Sequence, residues 1–156
     1  MSWLPVAASG GSPLDRVLGL CPELHADYRA FRALCCAAVD ADVLELCRLR
    51  VIRLVGSGAD ASAHDEPVTG ARLDEGKRAA LPAWPTAPQF TPCERACLEF
   101  AEQFVMDPHG ISDAQAAAVS AHLGAAGLVA LTEALALFEG FARVGAMLIP
   151  GEPAQR

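Results

Sequence analysis

Residues 41–55, ADVLELCRLRVIRLV, constrain this chain more than any other stretch. Val43, Leu44, Leu46, Cys47, Leu49, Val51, Ile52, Leu54 and Val55 cover nearly every side of a helical wheel. A helix that is apolar all round belongs at the centre of a fold, not at its rim. Glu45 is the exception. At about 100° per residue it falls between Leu49 and Ile52, so its carboxylate points into packed surroundings. A buried carboxylate is costly unless it is paired or neutralised, and Arg48 and Arg50 are the nearby cations on the same helix.

The rest of the chain reads as helices around that centre. Much of its 53% apolar content is Ala, a strong helix former, and runs of Val, Ile and Thr that would favour sheet are nearly absent. The fold class is therefore all-α. A short helix is expected after Ser12, over about 13–20, then one over about 22–39 with Pro22 at its start. Leu24, Tyr28, Phe31, Cys35 and Ala38 form its apolar stripe. Gly56-Ser57-Gly58 ends the central helix, and a further helix is expected to begin at 58–60 and carry His64. Leu73 to Leu81 reads as a short helix. Pro82, Pro85 and Pro88 then stiffen a loop anchored by Trp84 and Phe90. Thr91-Pro92 opens a helix to about Met106, and Ser112 caps another that Gly124 closes. The last helix runs from about 125 to 149. With 156 residues and no repeat, one domain is expected over 13–150, between a flexible leader (1–12) and a disordered tail (151–156).

Composition excludes several classes of function. A net charge of −7 argues against a phosphate-backbone partner, because Arg48, Arg50 and Arg53 are dispersed around an apolar helix and no aromatics interleave them. No apolar run reaches the roughly 18–20 residues of a membrane span: Gly124 to Leu148 is broken by Glu133, Glu139 and Arg143. The N-terminus lacks the basic start of a secretion signal, so a cytoplasmic chain with reduced cysteines is expected. Cys93 and Cys97 lie four apart without a His or a second pair nearby, which reads as core packing rather than a metal site.

The runs LELCRLRVIRLVGSGADASAH, ARLDEGKRAALPAWPTAPQFTPCERACLEFAEQFV and ISDAQAAAVSAHLG resemble the carboxymuconolactone decarboxylase superfamily, which includes the alkyl hydroperoxidase D proteins. The resemblance covers about residues 14–150, and LPAW followed by the ERACLEFAE helix is its most specific phrase. It implies a hydroperoxidase D-like helical bundle that assembles as a homo-oligomer, a trimer or hexamer. In the peroxidase branch a Glu is followed by a redox Cys pair and a His that together relay protons and electrons. Here Glu45 and His64 occupy the Glu and His positions, while Ser57 and Asp60 stand where the cysteines would be. Peroxide reduction by that route needs a thiolate and a resolving thiol, so no thiol peroxidase activity is expected at this site.

In kind the chain looks more like the decarboxylase branch of that superfamily, which lacks the cysteine pair and works by acid–base chemistry on a small carboxylated lactone. His64, Glu45 and Asp60 are the candidate catalytic residues, and Ser57, Gly58 and Trp84 the candidate substrate-binding ones. The implied chemistry is cofactor-free and metal-free: decarboxylation, isomerisation or a related proton transfer on a small organic acid or lactone. The helix start near Gly58 would favour an anionic group. Two other readings stay open. Ser57 and Asp60 also fit a plain capping box, and the chain also reads as a relative that kept the scaffold, lost the cysteines, and binds a ligand or a partner. An open space shared by Glu45 and His64 would favour the enzyme; a packed, dry surrounding would favour the scaffold.

Overall fold

The computed structural model describes residue 4, residues 11–56 and residues 66–149. Among the described residues the chain is all-helical and contains no strand. The helices are α1 (Pro13–Leu18), α2 (Pro22–Ala37), α3 (Ala41–Val55), α4 (Glu75–Ala80), α5 (Pro92–Met106) and α6 (Asp113–Leu148). Tight 3₁₀ turns at Leu81–Ala83 and Pro108–Gly110 follow α4 and α5.

Local chemistry sets most of these boundaries. Ser12 accepts a hydrogen bond from the Asp15 N–H at 3.1 Å while Asp15 accepts one from the Ser12 N–H at 3.1 Å, a reciprocal cap on α1. Thr91 with Glu94 and Ser112 with Gln115 repeat the device on α5 and α6. Asp40 caps α3 by accepting from the Asp42 and Val43 N–H groups. Gly124 breaks α6, as expected, with a backbone at φ 70° and ψ 174° that a side chain would rarely adopt. It divides α6 into arms over 113–123 and 125–148.

Helices α3, α5 and α6 pack mutually around one core, and α2 lies against α6. Leu44, Leu46, Cys47 and Val51 from α3 meet Cys97, Leu98 and Ala101 from α5, and Leu131 and Leu135 from α6. The expected anchors Trp84 and Phe90 are both buried there. Their loop is fastened by Arg95, whose guanidinium donates to the carbonyls of Trp84 at 2.7 Å, Pro85 at 2.8 Å and Phe90 at 3.2 Å, and to that of Ala87. A smaller cluster joins Leu14, Leu18 and Tyr28 to Phe141, Val144 and Ile149. In it the Tyr28 and Phe141 ring centroids are 4.1 Å apart.

Three expectations need correction. The α2 stripe is only half inside: Tyr28 and Cys35 are buried, whereas Leu24 and Phe31 are exposed, because the helix covers one flank of α6 and nothing described covers its other side. His25 lies near the start of α2, far in sequence from the other candidate residues, a placement that reads as surface; it is partly enclosed, with Nε2 2.7 Å from Asp15 Oδ1. And α6 is, by length and composition, apolar enough to cross a membrane. Only 28% of that apolar stretch is buried, so much of an apolar helix faces outward.

Candidate functional site

Of the residues singled out by sequence, Glu45 and Trp84 are described; Ser57, Gly58, Asp60 and His64 lie outside the described residues.

Glu45 sits on the inner side of α3 and is 1% exposed. Arg48, one turn on and 2% exposed, grips it with two parallel hydrogen bonds: Nε to Oε2 at 2.8 Å and Nη2 to Oε1 at 2.9 Å. The Val68 N–H adds a third donor to Oε2 at 2.9 Å. The planar guanidinium fork matches a carboxylate in this bidentate way, and i,i+3 spacing on a helix brings the two side chains together. The third bond reaches across the sequence and pins the strand of chain at 66–68 against α3. One donor is left over: Arg48 Nη1 is buried with no hydrogen-bond partner among the described residues. This is a deeply buried, packed ion pair rather than a solvent-facing carboxylate.

Arg50, the other expected partner, turns elsewhere. Its Nε donates to Glu102 Oε1 at 2.5 Å, and Trp84 Nε1–H donates to the same oxygen at 2.5 Å. The indole expected to touch substrate therefore ties the 81–90 loop to α5, its N–H satisfied by a protein carboxylate as buried tryptophans require.

The six cysteines lie on α2, α3 and α5 and at the turn before α2. All six are free thiols. Burial, reinforced by the neighbouring Cys97, Cys93 and Glu94, pushes the Cys47 thiol well above its ordinary range. Burial followed by Cys93 and Glu94 pushes Cys97 up to about 12. Burial, then the neighbouring Cys36 and Glu133, also raises Cys35. Thiols held protonated in this way are weak nucleophiles. Among the described residues no group of three or more His, Cys, Asp or Glu side chains is placed to hold a metal ion.

A cavity of about 340 Å³ does open elsewhere, along α2. Tyr28, Arg29, Arg32 and Cys36 line it from that helix, Asp15 from α1, and Glu66 and Thr69 from the connection into α4. Arg29 Nη1 lies 3.3 Å from Asp15 Oδ1, and Arg32 Nη2 donates to the Glu66 carbonyl at 2.6 Å. Ala33 and Ala37 supply an apolar stretch of wall. Sequence reasoning missed this place. The available signal was the i,i+4 row Tyr28, Arg32, Cys36, which sets a cation among apolar neighbours on one side of α2.

The chain matches no protein-family model, and a search of curated proteins finds no significant match.

Proposed function

We propose that this chain is a carboxymuconolactone decarboxylase-like helical protein that lacks thiol peroxidase activity and binds a small organic acid, working as a homo-oligomer. The observation that carries this reading is the closure of Glu45. With three donors already on its two oxygens and 1% of its surface exposed, it serves as an anchor for the connection at 66–68, and a ligand-binding relative fits that better than a proton relay through Glu45. The cavity along α2 supports the ligand class. Its volume falls in the range of small-molecule sites, Arg29 and Arg32 supply guanidinium donors suited to a carboxylate, and the alanine wall suits a short hydrocarbon. Asp15, which also lines it, is already engaged by His25, Ser12 and Arg29.

The test is calorimetric titration with benzoate and succinate, alongside turnover of hydrogen peroxide with a dithiol donor. Saturable binding that weakens at least about tenfold in Arg29→Ala or Arg32→Ala is expected, from loss of a charge-assisted contact worth about 1.5–3 kcal/mol. No peroxide turnover is expected. Binding that ignores both arginines, or turnover that depends on residues 57–64, would sink the proposal.

A further inference from the structure

The second arm of α6 exposes Val129, Glu133, Ala136, Gly140, Arg143 and Met147. Their spacing is 4-3-4-3-4, the 3.5-residue period of a seam that packs against another helix. The order of the residues is what identifies the other helix. Phe138 lies at the midpoint: Ala136 and Gly140 stand two residues to either side, Glu133 and Arg143 five, Val129 and Met147 nine. Small is matched by small, acid by base, and large apolar by large apolar.

A surface that is its own complement under reversal of direction is what a two-fold contact between identical helices requires, since residue i must then meet j while j meets i. We propose that this face is a self-association surface on which a second copy of the chain packs its own α6 antiparallel, with the two-fold axis at the level of Phe138. Glu133 of each copy then meets the partner's Arg143, twice over.

Gly140 supplies an independent observation. Glycine inside a helix costs about 0.5–1 kcal/mol relative to alanine, and nothing among the described residues demands it here: a Cβ built on Gly140 meets none of their atoms within 4 Å. The open space lies outside the protomer, where a second backbone would make its closest approach, next to the axis. Arg143 is available for the contact. Its Nη2 holds Glu139 on its own helix at 2.7 Å, but the side chain remains 62% exposed, and a guanidinium has five N–H donors to share. A lipid surface is the competing occupant for an apolar face, and the exposed Glu133 and Arg143 at the middle of the stripe argue against it.

This deepens the self-association proposed above and is independent of the ligand. Sedimentation equilibrium on the full chain tests it. The wild type should form dimers or even-numbered assemblies. Glu133→Arg and Arg143→Glu should each weaken the contact by at least about tenfold, because each turns two attractive pairs into like-charge pairs. The double variant, with the charges exchanged, should recover it. Gly140→Leu should weaken it too, while the dilute protomer unfolds at a temperature no lower than the wild type's, since the helix itself gains from losing a glycine. A wild type that remains monomeric overturns this surface and the oligomer together. An assembly indifferent to both charge reversals overturns the surface alone, as does a wild type that floats with phosphatidylcholine vesicles while its mass in solution stays that of one chain.

Discussion

Helix α3 and the second arm of α6 are both apolar, yet α3 encloses two full charges while α6 leaves a valine and a methionine about 60% exposed. Apolar content therefore does not decide which of them is inside. Position in the bundle does. Helix α3 is packed by both α5 and α6, so its stretch 43–49 is buried on all sides, and the charges there are tolerable only because Glu45 and Arg48 pair within one turn. The arm of α6 buries one side, through Leu131, Ala134, Leu135 and Phe138, and the stripe opposite has no partner among the described residues.

The sharpest way to break this contrast is at Glu45. Replacing it by Ala strands the Arg48 guanidinium, which is 2% exposed, and removes the acceptor for the Val68 N–H. Breaking a buried pair from one side costs about 3–5 kcal/mol, a large part of the roughly 5–15 kcal/mol that holds a domain together. Urea unfolding should show that loss. The double variant Glu45→Leu with Arg48→Met should recover most of it, because an apolar pair of similar volume needs no compensation. A mild single variant, or a double variant no better than the single, would mean that the pair is not what makes α3 habitable for charge.

A smaller effect sharpens the α6 side. Leu131→Ala should cost about 2–5 kcal/mol as a core truncation. Val129→Ala, two residues away and 62% exposed, should change the stability of the dilute chain by no more than about 0.5 kcal/mol. Equal losses at both positions would mean that the exposed stripe is already covered within one protomer.

Much of this architecture was legible because it is written locally. The central helix 41–55, the caps at Ser12, Thr91 and Ser112, and the break at Gly124 each depend on a few consecutive residues. So did the need for a partner at Glu45, and of the two cations in view the one at i+3 took the role. Facing was harder. Leu24 and Phe31 share helical spacing with Tyr28 and Cys35, but which of them goes inside depends on where α6 lies against α2. Contacts across long stretches of sequence were invisible: Arg50 and Trp84 converge on Glu102 from 52 and 18 residues away, and that convergence makes Trp84 a loop anchor. The cavity along α2 is assembled from α1, α2 and the connection at 66–69, so no single motif announces it. Ser57, Gly58, Asp60 and His64 lie outside the described residues, and their part of the site rests on the sequence.

Where α1 docks beside the far end of α6, the rule that pairing admits charge can be read by pH. Burial pushes the Asp15 carboxyl up, but hydrogen bonds from His25 and Ser12, with the charge of Arg29, outweigh it and hold the group below its ordinary value. A folded value below the unfolded one means that the ionised group stabilises the native state above the unfolded value, about 4 for a carboxylate. That contribution is lost as pH falls through the lower, folded value. Asp15→Asn should therefore melt below the wild type at neutral pH, and the gap should close on the acid side of about pH 4. The loss is confined to the contacts of α1 and should be the smallest of these three. A gap that widens as the solution is acidified would carry the opposite sign and show that the Asp15 carboxylate is not what holds α1 against the bundle.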